Sequence, residues 1–432
     1  MSRDTWAARF FTIWTGQQLS LIGSRAASFS LVWWLTEATG SAQVLATATM
    51  ALVVPQVLLG PVAGTFVDRW NRRLTILIAD GAVALVALFL AYLFWTGAMR
   101  PWHVYPILLI RAIGGAFHAP AINASTTLLV PKRHLTRVAG LNQSMQGALN
   151  IVGPILGAFL ISLLPVHGVM MIDVGTAAFA IVPLLFLSIP QPAAAGETRR
   201  EPFFTSLRAG FRYVRARRGV LRLLGVAAAI NFVVNPAFVL LPLLVTRHFG
   251  GGPLELGWLQ SASGFGVIAG GLILTAWGGF RRKVVTALLG GALQGLALVL
   301  LGGSPSGLLY LAIGAMAVNG LCNAFFNGPL IALFQVAIPP EMQGRIFMVI
   351  TSIAQGVWPI SLAVAGPVGD LIGVRGWFVI GGALMSVLCL GALLVPSVVR
   401  LEDALPASDG ETRPSEDRDR DMSGDDRPLD GA

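Results

Sequence analysis

Twelve predominantly apolar stretches follow one another along this chain, each close to or beyond the roughly 20 residues a helix needs to cross a bilayer core. They cover Phe10–Thr36, Ser41–Phe66, Leu74–Thr96, Val104–Leu129, Val138–Leu164 and Val169–Ile189, then Val220–Thr246, Leu256–Gly278, Val284–Gly302, Leu308–Val336, Ile346–Gly369 and Gly373–Leu394. The runs are long and do not alternate, so they predict helices and not barrel strands. With 55% hydrophobic and 12% charged residues, the chain has too little polar surface to coat a soluble globule. The fold class expected is an all-α membrane protein with twelve transmembrane helices. The sharpest boundary is Gly64-Thr-Phe-Val-Asp68-Arg69-Trp-Asn-Arg72-Arg73, where four charges fall within six positions after an uncharged run from Ser41 to Phe66. Such a cluster belongs in water or among headgroups, which makes it a short interhelical loop.

Basic residues mark one side of the membrane. Arg3 and Arg9 precede the first stretch, and Arg69, Arg72 and Arg73 follow the second. Lys132, Arg133 and Arg137 follow the fourth, Arg281, Arg282 and Lys283 the eighth, and Arg345 the tenth; the other side holds Arg100, Arg247 and Arg375. The positive-inside rule then puts both termini in the cytoplasm. The net charge of +9 is read as topological and not as a nucleic-acid footprint. Cys322 and Cys389 fall inside apolar stretches, so no disulfide framework or metal site is expected. No cleavable signal peptide, P-loop, metal-ligand cluster or nucleophile with its base is evident. No enzyme activity and no cofactor is expected, and the bilayer is the expected solvent.

Between Pro190 and Arg222 the chain turns polar, with eight arginines and with Phe203, Leu207, Phe211 and Val214 at helical spacing opposite them. That pattern suits an amphipathic helix on the inner membrane surface. Beyond Arg400 acids dominate and aliphatic residues are scarce, the composition of a disordered tail. The organisation expected is a six-helix bundle over residues 1–190, a cytoplasmic linker over 191–219, a second bundle over 220–399 and a tail over 400–432. The halves repeat one another. Phe117-His-Ala-Pro120 is followed by Pro131 and, six positions on, Arg137; Phe326-Asn-Gly-Pro329 is followed by Pro339 and, six positions on, Arg345. Pseudo-symmetric halves related by an axis along the membrane normal would place the two strings alike.

The loop from Gly64 to Arg73 resembles the Gly-x-x-x-Asp-Arg-x-Gly-Arg-Arg signature of the major facilitator superfamily, with Asn71 where that signature has glycine. Arg111-Ala-Ile-Gly-Gly115 resembles the pattern of its fourth helix. Gly153-Pro154-Ile-Leu-Gly157 resembles its antiporter motif, although Leu149 and Ala158 replace glycines there. Trp33-Trp34-Leu35-Thr36, Asp68-Arg69-Trp70-Asn71-Arg72, Ala119-Pro120-Ala121 and Leu129-Val130-Pro131 are similar to the macrolide-efflux branch of bacterial drug/proton antiporters. The resemblance spans residues from about 10 to 395 and implies a proton-driven exporter of amphipathic, drug-like compounds in the bacterial cell membrane, working as a monomer. The same branch contains siderophore and lipid exporters, and a membrane sensor that has kept the fold is a third reading.

A helix N-terminus favours a carboxylate by about 0.3–1 kcal/mol. Asp68, at the end of helix 2, is therefore expected to close a cytoplasmic gate against the start of helix 11, with Gly64, Arg69, Arg72 and Arg73 completing it and the arginines gripping headgroups or carboxylates. Ionisable groups within apolar stretches cost at least about 2.5 kcal/mol and mark candidate proton carriers. These are Asp173 and Asp80, together with Glu37 just past the outer end of the first stretch, with Arg111 and Arg25 as partners. Counting about 1.5 Å per residue puts Arg111 and Asp173 at similar depth, which predicts a pair, whereas Asp80 is expected nearer the Arg69–Arg73 cluster. His118 is read as a packing residue. The resemblance implies that the first and fourth helices of each half line the cavity, which nominates Gln17, Gln18, Asn123, Asn231, Asn235, Asn323 and Asn327 as polar contacts and Trp33, Trp34 and Phe117 as apolar ones.

Overall fold

The computed structural model describes residues 3–187, 218–337 and 340–399, together with Ile189, Arg208, Phe211, Arg212, Val214 and Arg215. The acidic tail and most of the segment expected to be amphipathic lie outside the described residues, as do the side chains of Asp68 and Arg345. In the first half, α1 spans Arg3–Thr39, α2 Ala42–Arg69, α3 Arg72–Trp95, α4 Val104–Leu129, α5 Leu135–Leu163 and α6 Val166–Phe186. The second half holds α7 (Arg218–Leu244), α8 (Pro253–Trp277), α9 (Lys283–Gly303), α10 (Leu309–Ala337) and α11 (Pro340–Leu393), followed by a final turn, α12 (Pro396–Val399). The 54-residue α11 breaks at Gly373, whose φ of 77° and ψ of 153° no neighbouring helical residue shares. It therefore supplies two spans, as the two separate apolar stretches there predict. Among the described residues, ten helical segments are long and apolar enough to cross a membrane, the last of them Met348–Leu393 with this break inside it. The break and the more polar α1 bring the spans to twelve.

Packing within the halves shows the repeat directly. In the first, α2 and α3 pack on α4, α3 and α1 pack on α6, and α1 packs on α5. In the second, α8 and α9 pack on α10, and α9 and α7 pack on α11. With the two spans of α11 counted as the eleventh and twelfth, shifting each span by six positions turns one set into the other. With lipid outside, apolar burial gives helices little reason to associate, so close backbone approach at small residues does much of the work. A Cβ on Gly295 of α9 would come 2.5 Å from the Gly382 carbonyl oxygen of α11, and the Ser386 hydroxyl donates to the Ala292 carbonyl across the same crossing at 2.9 Å. Large apolar side chains such as Leu58, Leu85 and Leu272 point outward, each 68% exposed, which only a lipid surround can satisfy.

Two capping residues set the hairpin between α2 and α3. Trp70 ends α2, and the Asn71 side chain accepts the Leu74 N–H at 3.2 Å to start α3, so the loop is two residues long. At the opposite end of the bundle, Ser41 caps α2 by accepting the Val44 N–H at 3.3 Å. The end where α1 begins is called here the near end, and the end carrying Ser41 the far end.

The halves meet along two equivalent seams, α2 with α11 and α5 with α8. Both are in the far portion of the bundle. Gly366 and Gly369 of α11 lie against Ala42, Gln43 and Ala46 of α2. Gly257 and Gly264 of α8 lie against Pro154, Ala158 and Ile151 of α5, and the Ser261 hydroxyl donates to the Ile151 carbonyl at 3.1 Å. Toward the near end the same helices separate: added Cβ atoms at Gly60 and Gly64 of α2, Gly140 and Gly147 of α5, Gly271 of α8 and Gly356 of α11 would meet nothing within 4 Å. Among the described residues, the halves are in contact at the far end and leave these near-end positions uncovered.

Candidate functional site

Beneath the far-end seal lies a cavity of about 540 Å³ walled by both halves, well inside the range of sites for drug-sized ligands. Its walls are mostly aliphatic, with Leu31, Leu52 and Val53 from the first half facing Phe238 and Val239 from the second. Polar groups are few: Ser28, Thr49, Arg111, Asn235, Gln260 and the indole of Trp358. The Trp358 Nε1 is buried and has no hydrogen-bond acceptor among the described residues, which leaves a donor for an oxygen of whatever enters.

Arg111 and Asp173 lock the cavity wall from behind. The guanidinium meets the carboxylate at 3.2 Å, with side-chain exposures of 12% and 1%. Ser24 of α1 donates to the other carboxylate oxygen at 2.8 Å, so one acid ties α1, α4 and α6 together. Arg25 does not join them. Its stem lies over Gly153 of α5, and its side chain lines an adjoining recess with Phe29 and Asn150, which shares Gln260 with the central cavity.

Two turns along α4 toward the near end is a second polar cluster. His118 Nε2 stands 3.0 Å from Asp80 Oδ1 and 3.1 Å from Gln17 Oε1, while Gln17 donates its amide to Asp80 Oδ2 at 2.8 Å. Asp80 thus faces the α1–α4 side and not the basic loop, and His118 is a polar partner and not a packing residue. The ring also lines a cavity of about 330 Å³ within the first half, which Gln17, Gln18, Asn123, Asn142, Gln143 and Gln146 make amide-rich.

The remaining candidates are dispersed. Trp33 is 3% exposed in the apolar core, and Trp34 packs edge-on against Phe94 with ring centroids 5.0 Å apart. Phe117 stacks on Trp70 at 5.6 Å and borders an outer groove between α3 and α4, away from the central cavity. Asn231 donates to the Ala227 carbonyl at 2.9 Å, and Asn327 to that of Asn323 at 3.2 Å; of the four second-half asparagines proposed, Asn235 alone is in the central wall. Glu37 is exposed at the far end of α1. At the near end Arg69 is exposed and Arg72 buried. Arg73 donates to the Leu184 and Leu185 carbonyls at the end of α6, so it fastens two helices of its own half, with no headgroup needed to satisfy it. In the antiporter-like motif, Gly157 admits Phe29 of α1, since a Cβ there would lie 2.7 Å from the Phe29 Cβ, and the Pro154 carbonyl oxygen would lie 3.2 Å from one on Gly257.

One contact across the far seal had no sequence signal beyond a charge near a helix end. Asp370 of α11 accepts the N–H groups of Ala42 and Gln43 and the hydroxyl of Ser41, at 2.9, 3.2 and 3.1 Å. A carboxylate of one half therefore caps the first turn of α2 in the other.

The family model for the Major Facilitator Superfamily matches residues 13–362. The chain belongs to this superfamily. Among its relatives, Macrolide efflux protein A of Streptococcus pyogenes is 32% identical over 399 residues, covering 92% of this chain and 98% of that protein. The Multidrug efflux pump Tap of Mycobacterium tuberculosis (strain ATCC 25618 / H37Rv) is 25% identical over 418 residues, covering 92% and 96%. Solved superfamily folds agree in architecture. A bacterial homolog of the human lysosomal transporter Spinster, in an inward-facing and unoccupied conformation, superposes with a TM-score of 0.68 at 13% identity, over 94% of this chain and 100% of that one. A bacterial homologue of the iron transporter ferroportin in its inward-facing state gives 0.64 at 16%, over 90% and 99%. This superfamily member is a multi-pass membrane protein built as two six-helix bundles.

Proposed function

We propose that this protein exports amphipathic drug-like compounds, macrolides among them, by proton antiport through alternating access. The observation that carries the reading is the largely aliphatic cavity between the halves, sealed at the far end and open below, in a chain similar over nearly its whole length to a macrolide efflux protein. An apolar wall with a few fixed polar groups suits a large amphiphile bound mainly by burial, with Trp358, Asn235 and Gln260 placing its oxygens. Its chemistry is movement of cargo, so the protein is read as a transporter and not an enzyme.

In this reading the near end faces the cytoplasm of a bacterial cell, both termini included, because the basic loops gather there. The bundles are taken as residues 1–190 and 220–399, joined by the basic linker 191–219 and followed by the tail 400–432, and one copy of the chain is the working unit. Rocking of one bundle against the other opens the α2–α11 and α5–α8 seams at the far end and closes their near portions. Asp68, on the last turn of α2, then reaches the start of α11, with Gly64, Arg69, Arg72 and Arg73 shaping that near-end gate. The proton is carried by an ionisable group of the first half, from the set Asp173, Asp80 and Glu37 with Arg111 and Arg25.

The test is efflux of radiolabelled erythromycin and of ethidium from cells producing the protein, with and without a protonophore. Retention of both compounds at the level of cells lacking the protein would end the exporter reading. Efflux that a protonophore leaves unchanged would end the proton-driven part.

A further inference from the structure

The geometry points to His118, held by Asp80 and Gln17, as the proton-binding site of this transporter. The inference rests on the proton-driven reading and assigns it to one pair of residues. Among ion pairs between the described residues, two lie within the membrane-spanning helices, and they differ in chemistry. The Arg111–Asp173 pair joins a carboxylate to a guanidinium that stays protonated under all physiological conditions. Its acid is 1% exposed and also accepts from Ser24, so every charge there is already answered. The Asp80 partner is an imidazole, the side chain whose ordinary titration falls within the physiological range.

Proton bookkeeping follows from the partners. Both atoms facing His118 Nε2 are acceptors, Asp80 Oδ1 at 3.0 Å and Gln17 Oε1 at 3.1 Å, so Nε2 carries its hydrogen whether the ring is charged or neutral. The orientation of the Gln17 amide is consistent with this, because its nitrogen donates to Asp80 Oδ2 at 2.8 Å. The proton that arrives and leaves is therefore the one on Nδ1. With it, the cluster is an imidazolium–carboxylate pair of zero net charge; without it, a single carboxylate remains, answered by two neutral donors. An unbalanced charge within the bilayer is costly unless water reaches it, so the deprotonated cluster favours an open water-filled state and the protonated one tolerates closure. His118 lines the 330 Å³ amide-rich cavity of the near half, the portion where the halves stand apart.

Other charges are placed where they do not compete. From α1 the cluster meets the neutral Gln17, and Arg25 of the same helix turns to α5. Asp80 comes from α3, whose Arg73 is engaged by the Leu184 and Leu185 carbonyls and whose Arg72 lies about two turns away. Arg111 on α4 itself is held by Asp173 of α6, about 10 Å further along. From α2 the charged residues are Asp68 and Arg69, at its near terminus. The α5 residues on the shared cavity, Asn142, Gln143 and Gln146, are neutral.

The test uses the full-length protein, once in weakly buffered detergent and once in proteoliposomes, with radiolabelled erythromycin as probe. Erythromycin binding to wild-type protein is expected to release protons into the medium, and an imposed pH gradient to drive accumulation. His118→Gln is expected to bind erythromycin, since the central cavity contains neither His118 nor Asp80, yet to release no protons and to accumulate at least tenfold less. Asp80→Asn is expected to behave in the same way, and guards against a folding defect peculiar to His118→Gln. Gradient-driven accumulation by His118→Gln at the wild-type level, or undiminished proton release, overturns the assignment while leaving proton antiport intact. Loss of erythromycin binding in both variants overturns it as well, by showing the cluster to be structural. A wild-type protein that binds erythromycin but neither releases protons nor responds to the gradient overturns the proton-driven reading itself.

Discussion

The carboxylate of Asp370 accepts the backbone N–H of Ala42 at 2.9 Å, across the boundary between the two bundles. It also takes the next amide and the Ser41 hydroxyl, and so satisfies donors that the first turn of α2 would otherwise leave to water. The contact depends on the position of the halves. In the proposed cycle, opening the far end parts Asp370 from α2, and the favourable meeting of a negative charge with a helix N-terminus is lost. Asp68 has the reciprocal position, the near end of α2, and in the proposed cycle it is the latch of the other closed state.

Asp370→Asn is expected to loosen the far end. An exposed carboxylate at a helix N-terminus contributes about 0.3–1 kcal/mol, which corresponds to a shift of roughly two- to fivefold toward the far-open state. A Thr49→Cys reporter on the cavity wall reads this shift, because the native Cys322 and Cys389 are buried. Its labelling by a membrane-impermeant maleimide in intact cells should quicken in the Asp370→Asn background. An unchanged rate would show that Asp370 plays no part in holding the seal.

Gly366→Val attacks the same seam by bulk. A Cβ there would already stand 3.0 Å from the Gln43 Cα and 3.2 Å from the Ala46 Cβ, and the first of these is backbone that cannot swing aside. Combined with the Thr49→Cys reporter, the variant should insert normally, label faster than the reporter protein alone, and transport slowly because it cannot complete the cycle. Normal efflux together with normal labelling would mean that the seam yields by a few tenths of an ångström at no functional cost.

Asp68→Asn is expected to reduce efflux strongly while leaving expression and membrane insertion near normal, since the proposed role of Asp68 is to set an equilibrium between states, and the variant leaves the Asn71 cap and the Arg73 contacts that hold the hairpin untouched. Immunoblotting of membranes alongside erythromycin efflux separates the two effects. Wild-type efflux would remove Asp68 from the gate.

Orientation has its own check. Trp102 is 62% exposed at the far end, and Gly252 is in the far-end turn before α8. Cysteines at either position should label from outside intact cells, and one at Ala194 should label only after the membrane is breached. A reversed pattern would invert the topology and the direction of transport.

What could be read in the sequence follows from which coordinates a linear pattern contains. Position along a helix axis is given by counting, so the spans, a short loop between the second and third of them, and the shared depth of Arg111 and Asp173 are legible; the loop is shorter than its charges suggest, because α2 runs on to Arg69 and α3 starts at Arg72. Rotation about the axis is much harder to read when every face is apolar. That is why counting alone directs Asp80 to the basic loop although it faces Gln17 and His118, and directs Trp33 and Trp34 to the cavity wall although Trp33 is buried in the core and Trp34 packs on Phe94. The contact made by Asp370 is illegible for a different reason. Its partner is the backbone of a helix 328 residues away, and no residue pattern advertises a free N–H group.

Arg111 and Asp173 should behave as a structural unit, and their energetics give the means to tell. Both charges are nearly shut off from solvent, so removing one leaves the other without an answer, a loss of about 3–5 kcal/mol in buried pairs elsewhere. Asp173→Ala also frees the Ser24 hydroxyl, and either single variant should melt at a clearly lower temperature than wild type in detergent. Replacing both charges with apolar groups of similar volume, Arg111→Met with Asp173→Leu, removes the stranded charge and should recover much of that loss, because a paired buried ion seldom outperforms a well-packed hydrophobe. Thermal unfolding of the four proteins followed by tryptophan fluorescence gives the coupling between the positions directly. If the double variant regains stability and still accumulates erythromycin under a pH gradient, the pair braces α1, α4 and α6 and carries no proton. If it regains stability but loses gradient-driven accumulation while erythromycin binding persists, the proton passes through Asp173, and the cluster at His118 takes the bracing role.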